Sequence, residues 1–336
     1  MNSNRITVAL AAFAAAIMVS ACTTGEKQNA KPVCPPFLQP GDKIAIMAPS
    51  FFVEDSVVLE GAAVLEECGY EVEFLTGYAH PYPEGSVPPI SYSGSIEERL
   101  SEFKRVMEDE SVKAVICSRG GYGAIHLVER LEPQWFRSHP KWLVGFSDIS
   151  YLNIAELMSG VMSIHGNMAS ELAYGGAESK GNAALLKLLK GELPQYELPA
   201  HEYNIEGSAT AMLVGGNLES IATMIGSTYD FTLIDNYILF IEEVGESYYD
   251  LDRFLNMILQ HPEGIRGVIV GDFTDCTPEP YYPSVEAMLD GYLSKLGVPV
   301  CYGLHAGHGD YNLPLIEGST MEMTVTAEGA TLKSKL

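Results

Sequence analysis

The chain has 336 residues, of which 47% are hydrophobic and 19% are charged, so it can bury a substantial core and is not a disordered polymer. Its 20 Lys and Arg residues stand against 44 Asp and Glu residues, which gives a formal net charge of −24. That excess of negative charge repels phosphate backbones and argues against a nucleic-acid partner. The length allows one large domain or two of ordinary size.

The first residues resemble an export signal. An Ala-rich apolar run over 9–19 follows Arg5, which is the only charged residue before position 26. The run is too short to span a membrane and has the length of the hydrophobic region of a signal peptide. It leads into Val-Ser-Ala-Cys, which resembles a bacterial lipobox ending at Cys22. We expect residues 1–21 to be a lipoprotein signal peptide and Cys22 to be lipidated, the alternative being an ordinary secretory signal.

The segment 22–36 is polar and closes with a pair of prolines, so it is predicted to be a tether. Together with Cys22 it predicts an exported lipoprotein of the cell envelope, facing the periplasm and held to the membrane by its lipid alone. Removal of residues 1–21 takes away one Arg and no acid, so the mature charge is −24 − 1 = −25.

The six cysteines contain no CxxC pair, and most are expected to be buried free thiols.

Apolar strands and amphipathic helices alternate through the next part of the chain. Strands are predicted over 43–48, 70–75, 112–117 and 142–146, and helices over 56–68, 95–109, from about 124, and over 149–158. This order predicts an α/β fold in which helices cover both faces of a parallel sheet.

The stretch 191–207, which holds two prolines and lacks an apolar stripe, predicts a boundary between two domains over 37–195 and 196–336. Beyond it, strands are predicted over 237–241, 267–271, 298–302 and 320–325, and helices over 218–225, 249–259 and 284–296. We expect the two domains to meet at a cleft.

A serine at a strand-to-helix junction is the first candidate for chemistry. Residues 145–148, Gly-Phe-Ser-Asp, follow a predicted strand, and a serine there can project beside backbone N–H groups as in a nucleophile elbow. Position 149 is Ile, so the second glycine of G-x-S-x-G is missing. The spacing alone favours the alternative that Ser147 or Asp148 is an N-cap.

A glycine-rich turn is the second candidate. Residues 118–123, Ser-Arg-Gly-Gly-Tyr-Gly, follow another predicted strand, and adjacent glycines can point N–H groups at an anion. A tight turn of purely structural role explains the same residues. A similar turn over 214–217 is interpreted as mainly structural.

Acids and histidines follow strands of the second half. Glu242, Glu243 and Glu246 come at the end of one strand, where a carboxylate can orient a histidine or lie in the first turn of a helix. His305 and His308 lie in a Gly-rich loop after another strand, and no strong metal spacing accompanies them. His165 is a further loop candidate, which we interpret as structural.

Taken in order, these segments resemble the bacterial LD-carboxypeptidases, which are serine carboxypeptidases of muropeptides. The resemblance runs from Gly41 to about Val325. It is carried by residues 41–49, 119–123, 145–148, 215–217, 242–246, 271–275 and 307–309. It implies a flavodoxin-like N-terminal domain, a smaller C-terminal β/α (swivelling) domain with the active site at their junction, and a second copy of the chain as partner.

The resemblance also implies a set of site residues. Ser147 matches the family's nucleophile, His308 its base and Glu242 its orienting acid. The oxyanion donors would be the backbone N–H groups of Asp148 and of Gly120 or Gly121. No cofactor and no metal is implied.

The family substrate is the tetrapeptide stem of peptidoglycan, from which the enzyme removes the terminal D-Ala across an L,D bond to a diamino acid. Arg119 is a candidate anchor for the terminal carboxylate, with a structural ion pair as the alternative. Asp148 or Glu246 could meet the free amine of the diamino acid. Family members often act in the cytoplasm during cell wall recycling, from which the predicted export departs.

Two other functions fit the same residues less well. One is a serine amidase similar to microcin C immunity proteins, which would need an adenylate pocket. The other is a non-catalytic lipoprotein that captures peptides between two lobes and whose ligand binding would not depend on Ser147.

Overall fold

The structure is a computed structural model that describes residues 31–74 and 92–336. The predicted signal peptide, Cys22 and most of the predicted tether lie outside these residues, and the lipidation prediction remains a prediction.

The described residues form two β-sheets with helices packed on them. The strands are β1 Lys43–Met47, β2 Glu71–Phe74, β3 Val112–Cys117, β4 Trp142–Gly145, β5 Ser163–His165, β6 Gln195–Pro199, β7 Gly207–Asn217, β8 Tyr237–Val244, β9 Ile265–Thr274, β10 Val300–Cys301, β11 Leu315–Glu317, β12 Thr320–Thr326 and β13 Gly329–Lys335. The helices are α1 Asp55–Glu67, α2 Ile96–Glu108, α3 Ile125–Val128, α4 Pro133–Ser138, α5 Ser150–Met158, α6 Ala169–Gly175, α7 Lys180–Leu189, α8 Leu218–Ala222, α9 Tyr248–Leu259 and α10 Val285–Leu293.

The first sheet has the strand order β2-β1-β3-β4-β5, all parallel, which is the flavodoxin-like order. Its central strands are near-continuous apolar runs because both faces are covered by helices. In such sheets ligands bind at the carboxyl ends of the strands, at the point where the strand order reverses. Here that point lies between β1 and β3, and the turns that follow β3 and β4 carry the predicted site residues of this domain.

The second sheet has the order β10-β9-β8-β7-β12-β13-β6. Strands β7 to β10 pair in parallel, whereas β12, β13 and β6 are antiparallel. The predicted α/β class, with a parallel N-terminal sheet and a second C-terminal domain, is confirmed.

Several elements differ from the sequence prediction. The helix predicted over 218–225 ends at Ala222. Strand β6 lies within the stretch predicted to be an irregular boundary, and β13 was not predicted. Strand β11, from the C-terminal part of the chain, joins the first sheet by antiparallel pairing with β5.

The two sheets share a buried core. One apolar cluster contains Val115 of β3 and Leu152 of α5 together with Leu218 of α8 and Leu239 of β8. Helix α5, which starts directly after the candidate nucleophile turn, packs on β7 and α8 of the other domain. The junction of the domains is therefore packed next to the candidate site.

Candidate active site

Ser147 lies in a strained turn between β4 and α5. Its φ of 63° is in the left-handed region, and only Asp275 shares such a value among the described residues that are not glycine. This backbone conformation costs energy for any residue with a side chain, and residues held in it are concentrated at functional sites. The N-cap of the short 3-10 helix that starts at Ser147 is Phe146, and that of α5 is Ile149, so the N-cap interpretation of Ser147 and Asp148 is wrong.

The missing glycine of the nucleophile motif has a packing explanation. A Cβ at Gly145 would lie 2.7 Å from Cγ2 of Ile149, so the glycine of β4 makes room for the isoleucine. The turn therefore needs a glycine before the serine and accepts a large residue after it.

The Asp148 side chain points into the protein. It is buried and accepts hydrogen bonds from Oγ of Ser50 and from the backbone N–H of Ala124, at 2.8 Å for the latter. Burial raises the pKa of the Asp148 carboxyl, and these hydrogen bonds oppose the increase. The carboxylate joins the turns that follow β1, β3 and β4, so the expectation that it meets a substrate amine is wrong; only its backbone N–H could serve a ligand.

The glycine-rich turn after β3 packs directly against Ser147. A Cβ at Gly120 would lie 2.9 Å from Cβ and 3.0 Å from Oγ of Ser147. Gly121 has a φ of 122°, and a Cβ there would lie 2.3 Å from Cγ of Phe51. Because neither position has room for a side chain, the peptide backbone itself approaches the serine, as an oxyanion site requires.

Arg119 begins this turn, and its guanidinium makes a long hydrogen bond of 3.4 Å to the carbonyl of Phe52. Within residues 31–74 and 92–336 no carboxylate forms an ion pair with it. The structural ion pair considered for Arg119 is therefore not found in the described part of the chain.

His308 and Glu242 come from the other domain. Glu242 is fully buried near the end of β8, and its Oε2 lies 2.7 Å from Nδ1 of His308. A Cβ at Gly307 would lie 2.4 Å from the same Oε2, so a glycine must precede the histidine. The neighbouring Glu243 instead accepts from the side chain of Asn217 at 2.6 Å and from backbone N–H groups, which separates the roles of the two acids.

The electrostatics favour a protonated His308. Burial alone would lower the pKa of this imidazole, but the charge and the hydrogen bond of Glu242 outweigh burial, and the pKa is raised above its ordinary value. The centroid of the His308 ring lies 4.9 Å from the ring centroid of Phe146, the residue directly before the candidate nucleophile.

One cavity of about 230 Å³ brings the predicted residues of both domains together. Ser147, His308, Arg119, Gly120 and Gly121 all line it. Among the described residues no direct hydrogen bond joins Ser147 to His308, and such contacts are often loose before a ligand binds. Cavities of about 520 and 680 Å³ elsewhere contain none of these residues, so volume does not identify the site.

The remaining sequence candidates do not enter this cavity. His305 pairs with Asp272 at 3.2 Å, His165 is fully buried, and Glu246 is absent from the cavity wall. No group of three or more His, Cys, Asp or Glu side chains suited to a metal ion occurs within the described ranges. The five described cysteines are free thiols.

Two features of the site escaped the sequence reasoning. Glu171, near the start of α6, lines the cavity, although the sequence analysis predicted neither this helix nor a role for this acid. The turn at Gly216 and Asn217 was interpreted as mainly structural. The structural contacts of this turn join the two domains: the backbone N–H of Asn217 donates to Oγ of Ser150 at 3.0 Å, and its side-chain amide donates to Glu243.

Comparison with known proteins agrees with this architecture. Residues 44–166 match the model of the LD-carboxypeptidase N-terminal domain, and residues 210–323 match that of the LD-carboxypeptidase C-terminal domain. The chain is 33% identical to the murein tetrapeptide carboxypeptidase of Pseudomonas aeruginosa over 68% of its own length and 78% of the relative's.

Solved structures show the same fold. The crystal structure of muramoyltetrapeptide carboxypeptidase from Oxalobacter formigenes has a TM-score of 0.77 at 26% identity, covering 88% of this chain and 99% of that one. The microcin C7 self immunity protein has a TM-score of 0.74 at 17% identity, covering 90% and 99%, which indicates the fold alone.

Together, the fold and these matches define a serine-type peptide hydrolase with two α/β domains. The chain belongs to the LD-carboxypeptidase family and is a carboxypeptidase related to those that act on murein peptides. No helix in the described part of the chain is long and apolar enough to cross a membrane.

Proposed function

We propose that this protein removes the terminal D-Ala from tetrapeptide stems of peptidoglycan, cutting the L,D bond with Ser147, His308 and Glu242. The observation that carries the proposal is the 2.7 Å contact of His308 with the buried Glu242, beside a cavity that also contains the strained Ser147. A buried acid, an imidazole and a serine in a strained turn are the parts of a nucleophilic triad.

The mechanism follows from which atoms are engaged. Glu242 holds Nδ1 of His308, which leaves Nε2 to take the proton of Ser147 as its oxygen attacks the carbonyl of the diamino acid. Backbone N–H groups of Gly120 or Gly121 and of Asp148 would stabilise the oxyanion. The His308 imidazolium then gives its proton to the leaving amine of D-Ala, and water hydrolyses the acyl-enzyme by the same route.

Arg119 supports a carboxypeptidase rather than an endopeptidase. A guanidinium can bind a carboxylate through two hydrogen bonds, and this one lines the cavity without an acidic partner among the described residues. A cavity of about 230 Å³ suits a small leaving residue such as alanine.

The deciding experiment incubates the purified chain with a disaccharide tetrapeptide that ends in D-Ala and follows the mass of the product. We expect the loss of one alanine with the wild type and no loss with Ser147→Ala, while the variant still binds the peptide. Full turnover by the variant would show that Ser147 is not the nucleophile.

Failure of the folded wild type to release alanine would favour the other functions. Hydrolysis of an aminoacyl-nucleotide amide would then indicate an amidase of the microcin immunity type. Peptide binding without hydrolysis, unchanged in Ser147→Ala, would indicate a binding lipoprotein.

We further propose that the protein is exported and anchored by a lipid on Cys22, because the sequence around this cysteine resembles a lipobox. Labelled fatty acid should enter the wild-type protein in cells and should not enter Cys22→Ala. A labelled Cys22→Ala protein would contradict the proposed site.

The family resemblance also suggests a homodimer, which light scattering of the purified chain would test.

A further inference from the structure

The cavity beside Ser147 contains an acid that the proposed mechanism does not use. Among the residues that the structure describes, Glu171 is the only acid in the wall of this cavity, and Arg119 lines the same cavity. Burial lowers the pKa of His308, and the charge of Glu171 helps Glu242 and Glu243 to raise it, so the Glu171 carboxylate lies near the reacting groups.

The Glu171 carboxylate is held in place but not saturated. Its Oε2 accepts from the backbone N–H of Met168 at 2.9 Å, and its Oε1 accepts from Oγ of Ser170 at 2.7 Å. Each oxygen has a second lone pair, so the group can accept further hydrogen bonds. No basic side chain in residues 31–74 and 92–336 forms an ion pair with it.

Helix capping explains only part of this arrangement. The hydrogen bond from the backbone N–H of Met168, the N-cap of α6, is the part of a capping box that an acid at the third helical position supplies. A capping box is formed equally well by glutamine, so the cap does not require a negative charge at this position. The charge is left without a partner in a cavity that binds the substrate under the proposed function.

We infer that Glu171 binds the free ammonium group of the diamino acid, while Arg119 holds the terminal carboxylate. This inference rests on the proposed function and names the substrate feature that the site would select: a primary amine on the residue whose carbonyl is attacked. An ammonium–carboxylate hydrogen bond in a partly buried cavity is worth about a 10- to 100-fold change in affinity.

The experiment compares Glu171→Gln with the wild type, using the full chain and two tetrapeptides. One peptide carries the free amine on its diamino acid, and the other carries the same amine acetylated. Glutamine keeps the cap and removes the charge. We expect kcat/KM of Glu171→Gln to fall about 10- to 100-fold on the free amine, mainly through KM, and to change little on the acetylated peptide.

The control variant is Glu178→Gln, which removes the same charge from an exposed position outside the cavity and should leave both rates unchanged. An equal loss on both peptides, with a shifted pH profile, would mean that Glu171 acts through His308 and would overturn the inference. An unchanged rate of Glu171→Gln on both peptides would overturn it as well.

Calorimetric binding of the two peptides separates this inference from the proposed function. If the wild type cleaves neither peptide, the function fails, and the binding contrast between wild type and Glu171→Gln still decides the role of Glu171. If the wild type cleaves the free-amine peptide but the wild type and Glu171→Gln bind each peptide equally well, only the inference fails. Binding of neither peptide overturns the inference in either case.

Discussion

At the scale of single residues, the charge of Glu242 controls the protonation of His308. Buried imidazoles usually lose basicity, yet the pKa of His308 is raised, because the carboxylate at 2.7 Å stabilises its charged form more than burial destabilises it. A histidine must be neutral to take the proton of a serine. The raised pKa therefore moves the onset of activity to a higher pH than an unperturbed histidine would give.

Glu242→Gln should reveal this control in the pH profile of kcat/KM. Loss of the negative charge lowers the pKa of His308, so the acidic limb should move to lower pH. The rate should also fall about 10²- to 10⁴-fold, because the glutamine no longer stabilises the imidazolium. Steady-state rates across the acidic range measure both effects, and an acidic limb that stays in place would show that another group titrates there.

Which residues meet at the site could be predicted only in part. The turns at Ser147 and at Gly120 and Gly121 could be located, because glycine and serine at strand ends have a physical meaning. That they share a cavity with His308 was implied by the family resemblance alone, since it depends on how two domains pack. The inward orientation of Asp148 was missed because its partner Ser50, in the same domain, lies 98 residues away in the chain.

At the scale of elements, the turn between β7 and α8 joins the domains next to the nucleophile. The backbone N–H of Asn217 donates to Oγ of Ser150 at 3.0 Å, and its side chain binds Glu243 on β8 and caps α8 through Ser220. A Cβ at Gly216 would lie 2.5 Å from Oγ of Ser150, so the approach also requires glycine. The turn thus links the start of α5 to the strand that carries Glu242.

Asn217→Ala should destabilise this junction by about 2 to 4 kcal/mol, which combines a lost helix cap with a buried carboxyl that loses its donor. Burial, together with the charge of Glu242, raises the pKa of Glu243 to about 7, and loss of the Asn217 hydrogen bond should raise it further. Urea unfolding at neutral pH measures the change in free energy.

Asn217→Asp is the matched variant, because it keeps an oxygen to cap α8 but replaces the donor to Glu243 by a second carboxyl. Its destabilisation should grow as the pH rises and both acids ionise. Equal stability of Asn217→Ala and the wild type would show that the junction does not depend on this side chain.

Elements could be predicted from the sequence where both faces of a strand are buried. Strands β1, β3 and β8 each contain an uninterrupted apolar run, which is typical of a sheet covered on both faces. Strand β13 alternates between buried and exposed residues and β6 is mostly exposed at the sheet edge, so their apolar signal is weak. The three-residue β11 carries no signal of its own, because its position depends on pairing with β5.

At the scale of the whole molecule, buried titratable groups make stability depend on pH in opposite directions. Burial lowers the pKa of His165 to about 4, so between that value and 6.5 the unfolded chain binds more protons and stability rises with pH. Burial raises the pKa values of Glu156 and Glu317 well above 4.5, so above that pH the folded chain binds more protons and stability falls as pH rises. The measured dependence of stability on pH is the sum of these opposite contributions, so neither can be recognised in it alone.

Glu156→Gln isolates one contribution. Glu156 lies fully buried in α5, and neither carboxyl oxygen has a hydrogen-bond partner among the described residues. The folded wild type keeps this group protonated whereas its unfolded chain releases the proton, so a rise in pH favours unfolding. Glutamine does not titrate and lacks this effect. The free energy of unfolding of the variant relative to the wild type should therefore increase by about 1.4 kcal/mol for each pH unit above 4.5, until the folded carboxyl itself ionises.

Urea unfolding of both proteins over this pH range measures the difference, which cancels the effects of His165 and Glu317. Glu67→Gln, an exposed acid at the end of α1, is the control and should give a difference that does not change with pH. Parallel curves for Glu156→Gln and the wild type would mean that the buried carboxyl ionises at its ordinary pH, and hence that water or a cation reaches it inside α5. A rising difference would instead show that the helix following the nucleophile turn holds a neutral acid in the core shared by the two domains.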